Sequence, residues 1–153
     1  MKALQISTAL VLVVLLLTAA VRAHQVPSGE SLSRATLMRI AQAFDDAYEA
    51  NEAAVVYQRF DAPSREVISE SSYVMRHRLC PDPPGAATVL GAAPAGAYWI
   101  VLYQIDGVVL HDYWHYVLGR WEFSLLRSNP GAVRLYRLGW RAYQSAIGCT
   151  PRA

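Results

Sequence analysis

Residues 98–127 read YWIVLYQIDGVVLHDYWHYVLGRWEFSLLR, and their pattern decides the fold. The run is dense in β-branched and aromatic residues, which favour strands. Asp106-Gly107 and Gly119-Arg120 carry the glycine that tight reversals need, so they cut the run into three strand-length pieces. An antiparallel meander is the expected result. With two-residue reversals, Tyr103 faces Leu110, Val101 faces Asp112 and Trp99 faces Trp114. Across the second reversal, Tyr116 faces Phe123, Trp114 faces Leu125 and Asp112 faces Arg127. A side-chain period of two gathers these residues on one face. That face is apolar apart from Asp112 and Arg127. The opposite face carries Tyr98, Gln104, His111, Tyr113, His115, Glu122 and Ser124, a mixed set that suits solvent.

Helical periodicity precedes the meander. Ser33 is a capping residue, and Leu37, Ile40, Ala41, Phe44, Ala47 and Tyr48 then recur at helical spacing. Arg39, Gln42, Asp45, Asp46 and Glu49 fill the other side. Asn51 interrupts this helix, and residues 52–60 form a second short helical stretch. Asp61-Ala-Pro-Ser is a helix start, with a capping acid followed by proline in the first turn. Ser69 offers another start, leading to Cys80. Residues 81–96, rich in Pro, Gly and Ala, form a loop with one short edge strand at 87–90. After the meander, Ser128-Asn129-Pro130 opens a further helix that Gly139 bends and Gly148 caps.

Residues 1–23 have the pattern of a secretory signal peptide: Lys2, an apolar run over 9–21, and small residues before a cleavage point at Ala23. The apolar run is shorter than the ~20 residues of a spanning helix, so no stable membrane anchor is expected after cleavage. Residues 24–153 then form a single domain. The 14 basic residues include Lys2 and Arg22; without them, 12 Arg balance 12 acids. A balanced chain lacks the basic footprint of a nucleic-acid binder. With Lys2 removed, no lysine remains for Schiff-base chemistry. Cys80 and Cys149 read as one disulfide in an exported chain, with a reactive or metal-binding thiol pair as the alternative.

The chemistry-bearing residues are few. Asp112 in an apolar face is either a polar anchor or general base in a cavity, or half of a cross-strand ion pair with Arg127. An adjacent Arg127 would hold the acid ionised, which favours the structural use. His111 and His115 have the spacing of a metal half-site on a helix, but on a strand they stand about 13 Å apart. No metal and no cofactor is therefore expected. No nucleophile elbow is present. The three sheet tryptophans could stack a flat ligand, or they fill the core.

The order of helices, Pro-rich passage and antiparallel meander, with Phe60-Asp-Ala-Pro-Ser-Arg-Glu-Val-Ile-Ser and a run ending Gly-Arg-Trp-Glu-Phe, resembles the nuclear-transport-factor-two-like, cystatin-like α+β superfamily. The resemblance covers residues 33–127. It implies a cone formed by a curved sheet and helices, and it places an acid or a histidine inside that cone in the superfamily's isomerases, dehydratases and cyclases. Only Asp112 is comparably placed here. The C-terminal helix departs from the minimal pattern and could plug the cone.

The expectation is an α+β protein: N-terminal helices on a curved antiparallel sheet, with a C-terminal helix tied by a disulfide. Function is expected to be binding rather than catalysis, in the secreted or cell-envelope space. Tyr103, Asp112, Trp114, Tyr116 and Arg127 would face a small apolar or aromatic ligand. The alternatives are a small lyase or isomerase with Asp112 as base, and a partner domain, such as a homodimer, that associates through Tyr98, Tyr113 and His115.

Overall fold

The computed structural model describes residues 29–83 and 85–150; the leader read at 1–23 lies outside the described residues. The fold is α+β, with helices packed on an open four-stranded antiparallel sheet in which each strand pairs with the next in the chain. The first helix, α1 (Arg34–Glu49), starts where Ser33 accepts a hydrogen bond from the Thr36 N–H. Three short helices follow: α2 (Ala53–Tyr57), α3 (Ala62–Val67) and α4 (Glu70–Leu79). Asn51 makes the break after α1 in the left-handed region, at φ 57°. Asp61 caps α3 by accepting from the Ser64 N–H at 2.9 Å, and Ser69 caps α4.

The strands are β1 (Ala87–Ala95), β2 (Tyr98–Ile105), β3 (Val108–Val117) and β4 (Arg120–Phe123). The edge strand β1 is longer than the expected 87–90. It continues through Pro94, opposite Trp99, with a bulge between Val89 and Gly91. Proline is tolerated there because β1 is an edge.

The β2–β3 register is the expected one: Val101 pairs with Asp112 and Trp99 with Trp114. The second reversal differs. Its central residues are Leu118 (φ 49°) and Gly119 (φ 83°), so glycine takes the second place, as it does in Asp106-Gly107 (φ 50° and 82°). Positive φ at both positions is the reversal that matches strand twist, and Gly119-Arg120 would have forced it on arginine. Trp114 consequently pairs with Phe123, and Tyr116 with Trp121. Sliding the pairing by two residues leaves every side chain on its expected face.

Strand β4 also ends earlier than expected. After Phe123 the chain turns into α5 (Leu125–Ser128), so Leu125 and Arg127 are not strand residues. The Ser124 N–H still bonds the Tyr113 carbonyl, and the Tyr113 N–H donates to the Ser128 hydroxyl at 2.8 Å. The Leu125 N–H is held by the buried Ser64 hydroxyl. Helix α5 therefore lies beside β3 where a longer β4 would have been.

Asn129 caps α6 (Pro130–Tyr136), and Gly139 separates it from α7 (Trp140–Ile147). A disulfide joins Cys80, at the end of α4, to Cys149, just beyond α7. That covalent link fits an oxidising compartment. No helix among the described residues is long and apolar enough to cross a membrane.

The core lies between α1 and the inner face of the sheet. Phe44 meets Trp114 edge-on at 5.2 Å and stacks on Phe123 at 4.7 Å. Trp114 and Trp121 are fully buried. Phe60 and Tyr73 extend the aromatic cluster under α2 and α4. The tip of the β2–β3 hairpin leaves Val108 and Leu110 exposed although they lie on the inner face, because no helix reaches that far.

Candidate functional site

Between the helices and the sheet lies a cavity of about 240 Å³. Helix α1 contributes Phe44, Asp45, Tyr48 and Glu49 to its wall. Tyr103, Ile105, Asp112 and Phe123 come from the sheet. Val56, Phe60 and Tyr73 line it from α2 to α4, and Leu125, Ser128 and Tyr136 from α5 and α6. Its lining is mainly aromatic and aliphatic, and its acids are Asp45, Glu49 and Asp112.

Two of those acids are almost withdrawn from water. Asp112 is 7% exposed and Asp45 8%. Burial pushes the Asp112 carboxyl up to about 7, against the opposing hydrogen bond from the Ser128 hydroxyl. Burial pushes Asp45 further, to about 8, and the like charges of Asp112, Asp46 and Glu49 add to it. Both are therefore poised between acid and carboxylate near neutral pH, the range in which a side chain can give or take a proton. Burial raises the Tyr103 hydroxyl as well, with both aspartates contributing.

A second polar chain adjoins the cavity. The Tyr136 hydroxyl lies 3.0 Å from His77 Nε2, and His77 Nδ1 lies 3.1 Å from Asp82. The His77 contact holds Asp82 below the usual carboxylate range, although burial opposes it. Tyr136 lines both the cavity and an open groove of about 640 Å³ alongside the disulfide. The groove is larger but opens broadly to solvent, so the internal cavity is the better-defined site.

Of the residues expected to face a ligand, the structure brings Tyr103 and Asp112 to the cavity. Trp114 is core, packed between Phe44 and Phe123. Tyr116 donates its hydroxyl to the Glu30 carbonyl and packs on Trp121. Arg127 does not pair with Asp112. Its guanidinium covers the Tyr98 ring, 4.3 Å from the centroid. The expected couple fails because the sheet ends before Arg127 and α5 redirects it. Tyr98 and Tyr113 are half-buried rather than free, and His115 stacks on Tyr98 at 5.1 Å. His115 Nε2 also lies 3.6 Å from the buried Asp61 carboxyl. His111 and His115 both lie on β3, as expected. Among the described residues no group of three or more His, Cys, Asp or Glu is placed to hold a metal ion.

The charge of Asp45 predicts the solvent side of α1, and the structure buries it instead. The signal was present in its spacing. It stands four residues after Ala41 and eight after Leu37, one position from Phe44 and three from Tyr48. Reading it as exposed followed its charge rather than its place on the helix.

No protein-family model matches the chain, and no curated protein and no solved structure matches it.

Proposed function

We propose that this chain is an exported binding domain whose internal cavity takes a small, mainly apolar or aromatic molecule. The observation that carries the reading is the cavity itself, with aromatic walls and two buried carboxyls converging on it. Ligand sites combine apolar walls with a few placed polar groups in this way, usually at about 300–1,000 Å³. At about 240 Å³ the guest is smaller than a drug-sized molecule. Export is supported by the leader pattern of residues 1–23 and by the disulfide. The order of helices before a meander, with an acid facing the interior, supports kinship with the nuclear-transport-factor-two-like superfamily.

The test is a fragment screen by ligand-observed NMR against the folded, oxidised protein, repeated with Ile105→Phe, which narrows the cavity and leaves the groove beside the disulfide untouched. Binding lost in that variant, with its melting temperature kept, supports the reading. Fragments that bind the variant equally well show the site to be elsewhere.

One observation favours a second reading, a lyase or isomerase with Asp112 as base. Among the described residues Asp112 has no arginine beside it to keep it ionised, and its raised pKa suits proton abstraction. Protonated Asp45 would then donate a hydrogen bond to the developing oxyanion. Turnover of an enolisable carbonyl compound that disappears in Asp112→Asn distinguishes this reading from binding alone.

A further inference from the structure

The charge inside the cavity is one-sided. Asp45, Glu49 and Asp112 line it, and among the described residues no Arg, Lys or His does. Asp45 is more than nine-tenths buried, and among the described residues none is hydrogen-bonded to its carboxyl; burial and neighbouring negative charge act on it. Buried carboxylates normally have a cationic or hydrogen-bonding partner, because an unpaired buried charge is expensive. Here the cation is lacking on the protein side. The rest of the wall combines the rings of Phe44, Phe60, Tyr73 and Phe123 with aliphatic Val56, Ile105 and Leu125 and the polar Ser128 and Asn129. Ring faces attract cations and also shelter an apolar body.

We infer that the cavity selects a small organic cation, an ammonium group on a compact apolar or aromatic body, with Asp45 and Asp112 as its counter-charges. The inference rests on the cavity being a ligand site at all. An ammonium guest supplies the missing partner, so the aspartates ionise around it and release protons to solvent. Besides Asp46, whose negative charge also bears on Asp45, the titratable groups facing them are Glu49 and Tyr48 on α1, Tyr73 on α4, Tyr103 on β2 and Tyr136 on α6. Of these only Glu49 ordinarily carries charge at neutral pH, and its sign favours the same guest.

Benzylamine, benzyl alcohol and benzoate share one ring and differ in charge, so calorimetric titration of the three tests the inference. Benzylamine is expected to bind about tenfold or more tighter than benzyl alcohol, the margin of a hydrogen-bonded buried charge, and benzoate not to bind. Amine affinity should rise from about pH 6 to about pH 8, with proton release seen as a dependence of the heat on buffer. Asp45→Asn and Asp112→Asn should each remove the preference while keeping the weak binding of benzyl alcohol, which also reports that the variants fold. Alcohol binding as tight as amine binding, or any benzoate binding, overturns the cation assignment and leaves the cavity as a ligand site. Binding by none of the three overturns both. Amine binding unaltered in both variants overturns the role given to the aspartates.

Discussion

The negative charge of Asp112 on β3 raises the pKa of Asp45 on α1, across the cavity that both side chains line. After burial itself, it is the largest influence on Asp45. The two acids therefore titrate as a pair, and the first ionisation opposes the second.

The pair sets a pH dependence of stability. Both folded-state pKa values, about 8 and about 7, lie above the ordinary 3.8. The folded protein therefore holds protons that the unfolded chain has released, and stability falls as pH rises from about 4 to about 8. Glu30 and Asp82 act oppositely. Burial raises Glu30, but the Trp121 N–H and Arg59 outweigh it, and His77 lowers Asp82. Their contribution is present at and above the ordinary carboxylate range and is lost only on acidification below it. Denaturant titrations at about pH 5 and about pH 8 should show the wild type losing about 2 kcal/mol or more. The Asp45→Asn/Asp112→Asn double variant should lose much less. Equal losses in both proteins would remove these two acids as the cause.

Arg127 stabilises an outer aromatic rather than the interior acid. Arg127→Ala should cost about 0.5–1 kcal/mol, the range of a partly exposed cation–π contact. The titration of Asp112, followed by carboxyl carbon NMR, should be unmoved. A rise in the Asp112 pKa in that variant would restore the ion pair that the structure lacks.

Leu118 is fully exposed and sits at φ 49°, a backbone region unfavourable to branched, bulky side chains. Asparagine tolerates that conformation and is favoured before glycine in such reversals. Leu118→Asn should stabilise the protein by about 1 kcal/mol, the scale of left-handed strain. A lowered melting temperature would mean that the side chain makes contacts the structure does not show.

The bridge between Cys80 and Cys149 spans 69 positions. A Cys80→Ser/Cys149→Ser variant should lose about 4 kcal/mol, from the unfolded-chain entropy that a loop of that length restricts. Because Cys149 follows α7 directly, hydrogen exchange should quicken first in α7. Uniform destabilisation, with α7 as protected as before, would contradict a local anchoring role.

Much of the fold is visible in local chemistry. Ser33, Asp61, Ser69 and Asn129 announce their helices because a capping side chain is a property of a few adjacent residues. Asp106-Gly107 announces a hairpin for the same reason. The site is less visible. The end of β4 depends on Ser64 holding the Leu125 N–H, a contact between residues 61 positions apart. The burial of Asp45 was legible in helical spacing but was masked by its charge. Tyr73, His77 and Tyr136 come together only when α4 and α6 pack, and neither helix signals the other in its own sequence. Asp112 and Tyr103 were legible because hairpin register is set by the reversal between them.

Both lateral margins of the sheet are partly covered by side chains and by neighbouring backbone. On β1 the Gln42 amide donates to the Ala87 carbonyl and accepts from the Val89 N–H, each at 2.9 Å, and Pro94 has no N–H to offer. On β4 the Trp121 N–H goes to Glu30, while Phe123 exchanges bonds with Arg59 and Asp61. A passing polypeptide thus meets amides already taken at Val89, Trp121 and Phe123 and a proline at Pro94, which interrupts edge-to-edge pairing at those points.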